Sequence, residues 1–153
     1  MHPKVPVKIK IINPKASQYI PKYQTDLASG FDIHALETVY LHAGMLTQST
    51  LIPTGLAFQV PPGYELQIRP RSGLSLKTRL RISNSPGTLD ADFVGELCII
   101  AENQDPNHST LTVNAGDRIA QGVIVPVVQA EFEIVEELDD TSRGAGGFGS
   151  TGK

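Results

Sequence analysis

Apolar residues in this chain recur with a period of two, in runs too short for anything but strands. Phe31, Ile33 and Ala35 alternate with other residues, and so do Leu56, Phe58 and Val60. Tyr64, Leu66 and Ile68 follow, then Leu97, Ile99 and Ala101, then Leu111 and Val113. Successive side chains of a strand point to opposite faces, so this spacing describes strands buried on one side. Val5, Val7, Ile9 and Ile11, set between Lys8 and Lys10, predict another such strand, and Phe132 and Ile134 predict the last. The run 119–128 is apolar and β-branched but contains Pro126. Proline cannot donate to a ladder, which predicts an edge strand or a bulge there. Turn signals at His42-Ala43-Gly44, Pro61-Pro62-Gly63 and Asn114-Ala115-Gly116-Asp117 separate the runs. No segment carries a long helical stripe. The expected fold is therefore all-β, a jelly-roll-like β-barrel or sandwich.

At 153 residues the chain makes one domain with a real core. It has no apolar run of membrane-spanning length and no charged-then-apolar leader, which predicts a soluble, cytoplasmic protein without membrane contacts. A nuclear location fits equally if the source is eukaryotic or viral. The one cysteine, Cys98, excludes an intramolecular disulfide framework and suits a reducing compartment. Its setting in LCIIA predicts a small buried hydrophobe rather than a nucleophile. The formal net charge of −3 argues against long polyanions, and so against direct nucleic-acid binding. A bound phosphate would need local arginines and a metal ion.

Four polar clusters interrupt the strand pattern. Pro70-Arg71-Ser72-Gly73 combines a rigid bend, a guanidinium, a hydroxyl and a flexible glycine, the inventory of a phosphate contact. The segment Asn84-Ser85-Pro86-Gly87-Thr88-Leu89-Asp90-Ala91-Asp92-Phe93 opens on a turn signal and carries two carboxylates one residue apart. On an extended chain Asp90 and Asp92 would share a face. Gly116-Asp117-Arg118-Ile119-Ala120-Gln121 leads polar residues into the most apolar strand, and Ser29-Gly30-Phe31-Asp32-Ile33-His34-Ala35 sets Asp32 opposite Phe31 and Ile33.

The tail RGAGGFGSTGK, residues 143–153, also has phosphate chemistry. Gly144, Gly149 and Thr151 nearly match the phosphate-loop pattern G-x-x-x-x-G-K-[ST], but Ser150 stands in place of its lysine. A phosphate loop must also open a helix, and here the chain stops. Glycines still expose backbone N–H groups, Ser150 and Thr151 offer hydroxyls, Arg143 a planar fork, and Phe148 is an aromatic with no core of its own.

In order and spacing, SGFDIHA, PRSGLSLK, NSPGTLDADFVGE, GDRIAQ and RGAGGFGSTG closely resemble the five motifs of the trimeric deoxyuridine triphosphate nucleotidohydrolases, the dUTPases. The resemblance runs from about Val7 to the C-terminus. It implies a jelly-roll homotrimer whose three active sites are each built from three subunits. It also implies hydrolysis of dUTP to dUMP and pyrophosphate by water attack on the α-phosphorus, which limits uracil in DNA and supplies dUMP for thymidylate synthesis. Residues 1–140 would form the β domain, and 141–153 a flexible arm closing over a site of the trimer.

The same resemblance implies roles. Asp90 matches the aspartate that deprotonates the attacking water. Gln121 and Ser72 match residues that hold the α-phosphate and bridging region, with Arg71 and Gly73 helping to place the chain. Asp32 matches an aspartate that holds waters around a Mg²⁺ ion on the triphosphate. Asn84, with the turn through Gly87, Thr88 and Leu89, matches the hairpin that reads the uracil edge. Phe93 matches the aromatic that packs beneath deoxyribose and crowds out a 2′-hydroxyl. Arg143, Gly149, Ser150 and Thr151 would hold the γ-phosphate, and Phe148 would stack on uracil in another subunit's site.

The chain departs from the family pattern at a few positions. Phe93 stands for the usual tyrosine, which keeps the ring but loses a hydroxyl and predicts weaker sugar discrimination. Val94, Arg79 and His34 replace a polar or basic residue, a glycine and an arginine. Two rival functions are deamination of dCTP and nucleotide-responsive regulation without turnover. PRSGLSLK and the glycine-rich arm favour the hydrolase over the first, and the intact set Asp32, Ser72, Asp90 and Gln121 speaks against the second.

Overall fold

The computed structural model describes residues 3–44 and 49–147. Among them ten strands follow one another: β1 (Lys8–Ile11), β2 (Phe31–His34), β3 (Val39–Leu41), β4 (Thr50–Gln59) and β5 (Tyr64–Arg69), then β6 (Leu80–Ile82), β7 (Gly87–Leu89), β8 (Glu96–Asn103), β9 (Leu111–Val113) and β10 (Arg118–Pro126). Two four-stranded antiparallel sheets result, ordered β1-β4-β8-β6 and β2-β10-β5-β7, with β3 and β9 forming a separate pair. The expected all-β, jelly-roll-like fold is present, as open sheets rather than a closed barrel.

The period-two reading holds best where both sheets close on the core. Along β8, Leu97, Ile99, Ala101 and Asn103 are buried while Glu96, Cys98, Ile100 and Glu102 are half-buried on the other face. Leu66 and Ile68 of β5 face the same interior. Phe31 of one sheet stacks on Phe58 of the other, with ring centroids 6.4 Å apart. Thr54 is also buried, and its hydroxyl donates to the Leu97 carbonyl at 2.7 Å. A buried hydroxyl without such a partner would be costly.

Several expectations are corrected. β1 is an edge strand paired only with β4, and Ile9 and Ile11 are 37% and 44% exposed instead of facing the core. Alternation reveals a face but not what covers it. Phe132 and Ile134 belong to no strand and are 92% and 99% exposed; the last strand ends at Pro126. The run 119–128 yields not an edge strand but the interior strand β10, with Pro126 at its last position. The register does shift between Arg118 and Ala120. Cys98 is half-buried on the face of β8 turned away from the core. Pro70-Arg71-Ser72-Gly73, expected as a bend, turns directly into the short helix α1 (Ser72–Lys77), whose Leu74 packs on the core.

Candidate active site

Strand order creates the first half of the site. Gln121 of β10 lies opposite Asp32 of β2 on one side and Arg69 of β5 on the other. After β5 the chain turns at Pro70, and Arg71, extended at φ −93° and ψ 131°, caps the start of α1. This bend carries the Arg71 guanidinium back to Asp32. Its Nε donates to Asp32 Oδ1 at 2.8 Å, and its Nη1 donates to the Arg118 carbonyl at 3.1 Å. Arg118 Nη1 reaches Asp32 Oδ2 at 3.3 Å. The Gln121 amide Nε2 donates to the Pro70 carbonyl at 2.9 Å. Its Oε1 lies over Gly30, where a Cβ would come within 2.6 Å of it.

Asp32 is only 8% exposed, so two guanidiniums stabilise a carboxylate that burial would otherwise disfavour. One negative charge against two positive charges leaves the cluster cationic by one, a setting suited to phosphate oxygens. His34 lies beside it and stacks on Tyr19 with centroids 5.5 Å apart. Burial pushes the imidazole below its ordinary pKa; Asp32 opposes this, while Arg118 and Arg71 add to it. Ser72 and Gly73 are exposed at the start of α1.

The second half is a cleft of about 300 Å³ beside the turn that carries the chain from β6 in one sheet to β7 in the other. That turn contains a cis Ser85–Pro86 bond. Gly87 lets β7 lie close against β5, since a Cβ there would lie 3.2 Å from Asn84 Nδ2 and 3.3 Å from the Cβ of Ile68. Leu89 is buried opposite Leu66, whereas Thr88, opposite Gln67, is exposed. Asn84, Gly87, Thr88, Leu89, Asp90 and Phe93 all line the cleft. Asp90 and Asp92 do not share an extended face: the chain turns, and the Phe93 N–H donates to the Asp90 carbonyl at 3.2 Å. Cys98 also lines the cleft, and burial, reinforced by Glu96, pushes its thiol pKa up. A protonated thiol fits the expected non-nucleophilic role.

Asp32, Arg71 and Gln121 thus gather at one place, and the segment 84–93 forms another that shares no lining residue with them. Arg143 lies apart from both in bonding: its Nε donates to Gly146 O at 2.7 Å within its own turn. Among the described residues no hydrogen bond or ion pair joins it to Asp32, Arg71 or Gln121. Phe148, Gly149, Ser150 and Thr151 lie outside the described residues. Sequence reading gave Arg118 no role. The signal was the pair Asp117-Arg118: Asp117 Oδ2 accepts from the Asn114 N–H at 2.8 Å within its own turn, so Arg118 finds its carboxylate on another strand.

Among the described residues no group of three or more His, Cys, Asp or Glu side chains could hold a metal ion. Each Asp32 oxygen accepts one guanidinium N–H, and a carboxylate has about four acceptor positions. Asp32 thus keeps acceptor positions that could hold water bound to a metal ion.

The dUTPase family profile matches residues 16–152. The chain belongs to the dUTPase family. It is 51% identical over 147 residues to the deoxyuridine 5′-triphosphate nucleotidohydrolase of Nautilia profundicola, covering 96% of this chain and 99% of that protein. The Helicobacter pylori protein of that name (strain ATCC 700392 / 26695) is 48% identical over 146 residues, covering 95% and 96%. Among solved structures, a mutant Staphylococcus bacteriophage 80alpha dUTPase with dUpNHpp aligns with a TM-score of 0.85 at 29% identity, covering 97% of this chain and 99% of that one. A mutant dUTPase from phage phi11 of S. aureus, described as coordinating a structural Mg(II) ion, aligns with a TM-score of 0.76 at 28% identity, covering 86% and 97%.

Proposed function

We propose that this protein is a dUTP diphosphatase, hydrolysing dUTP to dUMP and pyrophosphate and so limiting uracil in DNA while supplying dUMP for thymidylate synthesis. The observation that carries the reading is the cleft of segment 84–93, which bears Asp90, in a chain of the dUTPase family. Asn84 and the backbone of Gly87, Thr88 and Leu89 read the uracil edge, and Phe93 packs beneath the deoxyribose. Asp90 accepts a proton from the water that attacks the α-phosphorus, and the bond from that phosphorus to the bridging oxygen breaks to release pyrophosphate. Ser72 and Gln121 donate to the α-phosphate and bridging oxygens, with Arg71 and Gly73 shaping the approach. A Mg²⁺ ion bound to the triphosphate would lessen its charge, and Asp32 would hold waters of that ion.

The proposed assembly is a homotrimer with sites shared between subunits. Two facts support it: the cleft and the cationic cluster have no common lining residue, and a single chain exposes Ile9, Ile11, Phe132 and Ile134. Exposed apolar surface of this kind marks interaction faces. In the same proposal residues 1–140 form the β domain and 141–153 an arm in which Arg143, Gly149, Ser150 and Thr151 bind the γ-phosphate and Phe148 stacks on uracil. No helix among the described residues is long and apolar enough to cross a membrane, and the proposed setting is cytoplasmic.

The test is dUMP and pyrophosphate release from dUTP with Mg²⁺ at known subunit concentration. Turnover is expected with the parent chain and a loss of about two to four orders of magnitude with Asp90→Asn, at unchanged dUTP binding. Parent-rate hydrolysis by that variant would remove Asp90 as the base. Release of ammonia from dCTP, expected to be absent, would instead favour a deaminase.

A further inference from the structure

We propose that Gly95 is a positioning residue for sugar selection: the absent side chain leaves the space across which the Phe93 ring lies. The inference rests on the reading that Phe93 packs against deoxyribose. A Cβ built on Gly95 would lie 2.8 Å from Phe93 Cζ, 3.2 Å from Cε2 and 3.5 Å from Cε1. The first distance is well inside van der Waals contact. Gly95 does not adopt the left-handed conformation that favours glycine, and it is exposed, so neither backbone strain nor core packing requires glycine there.

The ring, not the backbone, must give way to a methyl at this position. Residue 96 begins β8, pairs with Ala57, and accepts the Gly55 N–H on its Glu96 carboxylate at 2.8 Å. The turn bond from the Phe93 N–H to the Asp90 carbonyl holds the other end. Between these anchors the one yielding group is the Phe93 side chain, 47% exposed. Displacing it moves the surface that excludes a 2′-hydroxyl, while Asp90 stays in place.

The experiment measures kcat/KM for dUTP and UTP in the parent, Gly95→Ala, Phe93→Ala and the double variant, with Tm recorded for each. Gly95→Ala is expected to keep the parent Tm and to lower the dUTP-to-UTP ratio by about tenfold, in the range that a lost steric contact gives. Phe93→Ala should lower the ratio as well, and adding Gly95→Ala to it should change nothing further, because no ring remains to displace. If Phe93→Ala leaves the ratio unchanged, the sugar reading of Phe93 itself falls. If Phe93→Ala lowers the ratio but Gly95→Ala does not, the Gly95 proposal alone is overturned. It is equally overturned if Gly95→Ala lowers the ratio further in the Phe93→Ala background. Loss of folding in Gly95→Ala would also count against it, since a freely yielding ring leaves the backbone intact.

Discussion

At the scale of single residues, the position of Asp32 decides most. Its carboxylate is nearly out of solvent and holds both Arg71 and Arg118. Asp32→Asn leaves two guanidiniums facing a neutral amide, and charged hydrogen bonds at such sites contribute about 1.5–3 kcal/mol. Urea unfolding of the variant should show a loss of roughly that size, reduced by the solvent that reaches both arginines. Arg118→Ala should cost less, because its guanidinium is half-exposed and the carbonyl that holds Arg71 survives the substitution. His34 gives a pH dependence. Its Nδ1 is buried without a hydrogen-bond partner, so the neutral ring is favoured and the folded pKa lies below the ordinary 6.5. The unfolded chain then binds the proton more readily. The stability from a neutral His34 is complete above 6.5 and is lost as pH falls through the folded pKa. Asp32 opposes the shift, Arg118 and Arg71 reinforce it, and Tyr19 covers the ring. His34→Phe keeps a ring against Tyr19 and should flatten the acid-side fall in Tm; an unchanged fall would assign that dependence to other groups.

Among the elements, β10 connects the core to the site. Its inward residues pack against β2 and β5 while Gln121 and Arg118 reach the cationic cluster. Gly122 allows this close packing: a Cβ there would lie 2.6 Å from Phe31 Cε2 and 2.9 Å from Leu66 Cδ1. Both neighbours are buried, so neither can yield freely. Gly122→Ala should therefore destabilise by about 1–3 kcal/mol through overpacking. The expected signature is a lower urea midpoint with an unchanged slope, and reduced dUTP turnover because Asp32 and Gln121 flank the same strands. A variant as stable as the parent would show that the sheets can part at Phe31 without cost.

For the whole molecule, the surface of one chain is incomplete. Ile9, Ile11, Val128, Phe132 and Ile134 are all exposed, which an assembly of several copies would remedy. Deleting residues from Arg143 onward should leave Tm and oligomeric state unchanged, because the Arg143 side chain bonds only within its own turn among the described residues. Turnover should nevertheless collapse if Arg143 holds the γ-phosphate as proposed, since that group loses its guanidinium. Mixing tail-deleted subunits with Asp90→Asn subunits then tests shared sites. If the proposed trimer forms, mixed assemblies should regain activity that neither parent has, and inactivity in every mixture would mean that each chain closes its own site.

Period-two alternation was enough to read β5 and β8, because a strand with one buried face must alternate, whereas in β4 it marked only Leu56 and Phe58 of a stretch buried without a break from Thr54 to Phe58. The motifs were legible for a related reason: polar residues interrupting apolar strands marked Asp32, Arg71, Asn84, Asp90 and Gln121 before any fold was known. What alternation lacks is the identity of the covering surface. Only the tertiary structure left β1 and segment 127–138 uncovered and turned Cys98 toward the cleft. Only strand order brought Arg118 and Arg71 to one carboxylate from positions 86 and 39 residues away along the chain. The role of Gly95 was hidden for the same reason. A glycine in sequence reads as backbone freedom, whereas here it records the space taken by a neighbouring ring, which depends on where the turn after β7 sends Phe93.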